Sequence, residues 1–140
     1  MTQEEKRILL KDLCGRLPYG VKVCARFNTG NRYTANVTAI SVDTDYIQIR
    51  QNALHVHTGS SIEDIRPYLR PMFSMTEEEC KELGELSATI ENVSETLPNV
   101  PYYIEVARPE QIDWLNEHHF DYRGLIEKGL ALEAKEGVYD

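Results

Sequence analysis

The chain has 140 residues, 41% of them hydrophobic, which suits one compact domain or two very small ones. No apolar run approaches the length that crosses a bilayer, so no membrane partner is expected. The formal charge of −8 is unevenly spread, with a net +3 over residues 1–72 and −11 over residues 73–140, as in two units with different surfaces or one half masking the other.

The first residues mix charges of both signs and lack the apolar core of a signal peptide, so a cytoplasmic location is expected. Thr2 and Glu5 have the spacing of a capping box. Ile8, Leu9, Leu13 and Leu17 recur at helical spacing, and Pro18-Tyr19-Gly20 ends the helix. Val21, Val23, Ala25 and Phe27 then alternate with Lys22, Cys24, Arg26 and Asn28, the period of a strand. After a turn at Asn28–Asn31, Tyr33, Ala35, Val37 and Ala39 share one face, but Ile40 and Val42 continue on the other. That one-residue slip predicts a β-bulge. Ile47 and Ile49 carry a third strand, and Leu54 and Val56 a fourth. Ser61-Ile62-Glu63-Asp64 predicts one short helical turn, and Pro67 and Pro71 restrict any last strand to a sheet edge. Val23, Phe27, Val37, Ile40, Ile47 and Ile49 are the expected core. This order of a helix, about five short strands and a late helical turn resembles an Sm-like or SH3-like small β-barrel over residues 2–72, an architecture that serves many functions.

The acidic half, residues 73–140, reads as α-rich with one or two short strands, for an α+β protein overall. Thr76 and Glu79 form a second capping box, with Met75 and Cys80 at its staple positions. Leu83, Leu86, Ile90 and Val93 form an apolar stripe along that helix, residues 94–101 a linker, and residues 102–106 a strand. Pro109 opens a further helix that buries Ile112, Trp114, Leu115 and one of His118 or His119. Asp121 is placed to cap a last helix, clamped by Phe120 and Leu125 and ended by Gly129, with Leu130, Leu132 and Ala134 alternating as a short strand beyond it.

Chemistry concentrates in Asn116-Glu117-His118-His119-Phe120-Asp121-Tyr122-Arg123. Adjacent histidines on a helix point about 100° apart and do not share one ion easily. His55 and His57, two apart on a strand, project from one face, and a metal site would need His118, His119 or Glu117 to fold against them. An architectural role for the corner is the stronger expectation, and no cofactor is expected. The three cysteines form no CxxC pair, which fits a reducing compartment. Cys14 and Cys80 fall on apolar helix faces, where inert packing is the usual role, while Cys24 faces the charged side of its strand and is the one thiol to test for reactivity. Lys22 and Arg26 share a strand face, Arg32 and Arg50 can lie near it, and Tyr33 or Tyr46 can offer a stacking surface, which together would suit nucleic acid.

Pro67-Tyr68-Leu69-Arg70-Pro71-Met72, Ser74-Met75-Thr76-Glu77-Glu78-Glu79 and His118-His119-Phe120-Asp121-Tyr122-Arg123-Gly124-Leu125-Ile126 resemble uncharacterised proteins from phages and prophages of gut bacteria. The resemblance implies an accessory protein of a mobile element. With no catalytic constellation in the sequence, the first expectation is a non-catalytic module that binds another protein. A nucleic-acid-binding or nucleic-acid-mimicking protein is the alternative, and a metal-dependent hydrolase the third reading.

Overall fold

The computed structural model describes residues 1–26, 29–44, 46–51, 57–86 and 108–139, with backbone alone at His57. The expected core position Phe27, the strand at Leu54 and Val56, the stripe residues Ile90 and Val93, the linker 94–101 and the strand 102–106 lie outside these residues. The fold is α+β. Helix α1 spans Gln3–Arg16, and its Thr2 hydroxyl accepts from Glu5 N–H while Glu5 reaches back to Thr2 N–H. Leu17–Tyr19 tighten into a 3-10 turn, and Gly20 leaves it at φ 74°, a conformation that glycine adopts without a Cβ penalty.

Strands β1 (Lys22–Arg26), β2 (Arg32–Ser41), β3 (Tyr46–Arg50) and β4 (His57–Ser61) pair in sequence as antiparallel neighbours. The register of β2 on β3 shifts between Val37 and Ala39, the bulge that the slip in alternation predicts. A 3-10 turn at Ile62–Asp64, capped by Ser61, leads into β5 (Ile65–Leu69). The sheet order is β4-β3-β2-β1-β5-β6, where β6 is Leu132–Glu133. It runs open from β4 to β6, so the closure of a barrel is not made among the described residues.

Strand β5 is not an edge, contrary to expectation. It lies between β1 and β6, with Val23 opposite Pro67. Leu69 turns its carbonyl to Ala134 N–H, and alternation turns Pro67 to the same side, where pairing with β6 begins only at Tyr68. The proline therefore leaves no ladder donor missing.

Val21, Val23, Ala25, Ala35, Val37, Ile47, Ile49, Ile65 and Leu69 form the inner face of the sheet and pack with Leu9 and Leu13 of α1. Leu125, Leu130 and Ala131 from the acidic half join this same core. Ile40 is half-buried against it. A second cluster gathers Met75, Leu83, Trp114, Leu115, Phe120 and Tyr122 around α2 (Glu77–Glu85) and α3 (Pro109–Glu117). Helix α2 carries the expected capping box at Thr76 and Glu79. Leu86, expected inside, is 37% exposed at the C-cap of α2. The expected last helix is replaced by turns: Gly124 at φ 71° breaks the run. Asp121 still gathers the N–H groups of Leu125 at 2.8 Å and Ile126 at 3.0 Å. The left-handed exit at Gly129 and the contact of Leu125 with Leu130 form as expected.

Candidate functional site

Two surfaces collect the residues singled out by sequence. At the first, α3 ends in a Schellman motif: Phe120 N–H donates to Leu115 O and His119 N–H to Asn116 O. His119 takes the left-handed position at φ 63°, a place usually given to glycine. Its ring stacks on Tyr139 with centroids 3.5 Å apart, and it is only 9% exposed. Burial, and then the positive charges of Arg16, His118, Arg70 and Lys22, hold His119 down to about 4, so it is neutral at pH 7. His118 Nδ1 lies 2.9 Å from Trp114 O, with its ring stacked on the indole.

Beneath this corner lies a buried polar network. Asp12 and Arg16 are both 0% exposed and joined by Arg16 Nε to Asp12 Oδ2 at 2.8 Å. Arg16 Nη2 also donates to Phe120 O at 2.6 Å, and Arg123 Nε reaches Asp12 Oδ1 at 3.2 Å. Tyr122 donates its hydroxyl hydrogen to Asn116 Oδ1 at 2.8 Å. Gly15 faces Asn116 so closely that a Cβ would stand 3.2 Å from Nδ2, which is why α1 and α3 can approach here. Arg70 clamps Glu79 with two bonds of 2.8 Å and lies over the Phe120 ring at 4.1 Å. Those bonds, ahead of other effects, hold the Glu79 carboxyl at about 2.

A groove of about 480 Å³ opens beside the corner, lined by Arg70, Glu117, His119, Glu133, Lys135 and Tyr139 among others. Among the described residues no three His, Cys, Asp or Glu side chains converge into a metal-binding group. His118 has its Nδ1 engaged with Trp114 O, and His119 is held against Tyr139. His57 begins β4 at the far edge of the sheet from β6, and His55 lies outside the described residues. The corner organises packing around Phe120.

The second surface is the outer face of the sheet. Strand register puts Lys22 opposite Asn36, Asn36 opposite Arg50, and Arg50 opposite His57, a single row across four strands. Arg26 faces Arg32, and Cys24 lies between Thr34 and Arg66. Because successive strand residues alternate faces, Lys22, Arg26, Arg32, Arg50 and Arg66 all stand on one side, with Tyr46 and Tyr68. Strands β1 to β5 hold no aspartate or glutamate. Among the described residues Asp64, 3.3 Å from Arg26, is the one carboxylate in ion-pair reach of these five cations.

Of the residues named from sequence, Lys22, Arg26, Arg32, Arg50 and Tyr46 come onto this one face, while Tyr33, opposite Ala25, packs against the core on the other. Sequence reasoning missed Arg66, whose strand was discounted for its proline although Arg66 and Tyr68 alternate with buried neighbours. Cys24 is corrected. It lies on the polar face, between Thr34 and Arg66 on the two neighbouring strands, and is only 7% exposed. Cys14, expected on an apolar face, is the exposed thiol.

Neither protein-family models, nor curated proteins, nor solved structures give a match to this chain. Function is therefore argued from the two surfaces. Among the described residues no helix is long and apolar enough to cross a membrane.

Proposed function

We propose that the protein is a non-catalytic binding module, and that its ligand is nucleic acid held on the outer face of the sheet. The observation that carries this reading is the placement of Lys22, Arg26, Arg32, Arg50 and Arg66 on one face of five strands that contain no carboxylate. A protein of net charge −8 that still segregates its cations in this way has a surface suited to a polyanion. Among the described residues every aspartate and glutamate lies outside strands β1 to β5, and Asp64 alone pairs with one of the five cations. A protein partner, the first expectation from sequence, would find mixed charges in the groove beside His119, with Arg70 and Lys135 set among Glu117, Glu133 and Glu136.

Binding of labelled oligonucleotides across a salt series tests the proposal. For a single strand the logarithm of affinity falls with the logarithm of salt by about 0.7 per phosphate neutralised. Five contacts therefore give a slope near −3.5, and replacing Arg32 and Arg50 by glutamine should reduce its magnitude by about 1.4. Absence of binding at low salt, or a slope unchanged by the double substitution, would overturn the reading.

A further inference from the structure

We infer that the nucleic acid is single-stranded, lies along the strands, and stacks one base on the half-exposed ring of Tyr46. This rests on the nucleic-acid reading above and adds the form of the ligand and its path.

Tyr46 opens β3 and is 48% exposed. Its ring lies on Gly59 of the neighbouring strand, where a Cβ would overlap the ring atoms. Only glycine leaves room for the ring to approach the backbone so closely there. The tip of the ring is thus packed against the neighbouring strand, which restricts the side chain before a ligand arrives. About half of the residue stays exposed. A supported, half-exposed tyrosine beside a row of cations is the arrangement on which an unpaired base stacks.

The positions define a track. Arg26 and Arg32 face each other at one end, Lys22, Asn36 and Arg50 form the row in the middle, and Tyr46 stands at the other end. Each step is four residues along a strand, about 13 Å at about 3.3 Å per residue, so the whole track is about 26 Å long. That length suits a short run of nucleotides, near the lower end of the roughly 4–16 that single-strand folds cover. The bulge between Val37 and Ala39 falls between the middle row and Tyr46, so the track bends before it reaches the ring.

A duplex fits poorly. Four interstrand spacings separate β5 from β4, about 19 Å in all, whereas the major groove is only about 12 Å wide. The face cannot enter the groove, and in a duplex no base is free to meet Tyr46.

The test uses fluorescence anisotropy with a labelled oligothymidine, alone and annealed to its complement, on the full chain and on Tyr46→Ala and Tyr46→Phe. We expect the single strand to bind at least tenfold more tightly than the duplex. Tyr46→Ala should weaken single-strand binding roughly 5- to 150-fold, and Tyr46→Phe, which keeps the ring, should bind within about twofold of the parent. Equal or tighter duplex binding, or an alanine variant as good as the parent, overturns the inference while the nucleic-acid reading stands. Failure of both forms to bind removes both. Tyr46 is half exposed and belongs to neither core cluster, so circular dichroism should give all three proteins the same spectrum.

Discussion

Replacing Asp12 by alanine strips the buried Arg16 guanidinium of its counter-charge. Both side chains are 0% exposed, and the carboxylate receives three hydrogen bonds: two from Arg16, at 2.8 and 3.1 Å, and one from Arg123 at 3.2 Å. Without Asp12, the hydrogen bond from Arg16 Nη2 to Phe120 O is all that remains of this set for Arg16. Removing one partner of a buried ion pair typically costs about 3–5 kcal/mol, because the other charge is left desolvated. Domains of this size are stable by only about 5–15 kcal/mol, so the single substitution should remove a large part of the total. Replacing the pair together, Asp12→Leu with Arg16→Met, leaves no stranded charge and should cost clearly less than Asp12→Ala alone. Urea denaturation followed by far-ultraviolet circular dichroism measures all three proteins. If Asp12→Ala cost less than about 1 kcal/mol, in the range of an exposed pair, the description of a dry, paired network under the corner would be wrong.

The histidine corner predicts an acid-sensitive fold. In the unfolded chain His119 takes up a proton near 6.5, while the folded protein refuses it until about 4. Stability is thus complete above pH 6.5 and declines as pH falls toward 4, by about 3 kcal/mol at most. Glu79, held at about 2, extends the loss from pH 4.5 downward. His119→Asn, which tolerates the left-handed backbone, should flatten the first decline in urea melts taken between pH 7 and 4 and leave the second. Tyr139→Phe removes a hydroxyl that accepts from Lys22 N–H at 3.1 Å and donates to Tyr68 O at 2.7 Å. Two main-chain groups then lose their partner, and a loss of about 1–3 kcal/mol is expected; a neutral result would mean that water replaces the hydroxyl freely.

What could be read from sequence was set by the reach of the interaction. The two threonine caps are decided within four residues, and both form as the spacing predicts. The bulge in β2 was legible because the switch of apolar residues from one face to the other is itself the consequence of an extra residue. Asp121 was rightly assigned to gather N–H groups, but Gly124, one left-handed residue, turned the expected helix into turns. The interior place of β5 was not legible, because β6 arrives from more than sixty positions along the chain. Asp12 and Arg16 have an ordinary helical spacing, and only the arrival of Phe120 and Arg123 makes their pairing a buried one. The basic face was half legible: alternation put Lys22 with Arg26, but register alone could say that Arg50 stands in the row of Lys22.

The hydroxyl of Tyr139 stands where the ladder between Lys22 and Tyr68 would place a main-chain bond, 117 residues along the chain from Lys22. A ribosome adds about 5–20 residues per second, so after Tyr68 is made several seconds pass before this rung can close. Through that interval the Lys22 N–H and the Tyr68 carbonyl lack this partner, and strands β1 and β5 can meet only over Val23 to Ala25. The nascent sheet therefore waits, incompletely joined, for one side chain made seventy-one residues after Tyr68. In that window it is open to pairing with any extended segment nearby.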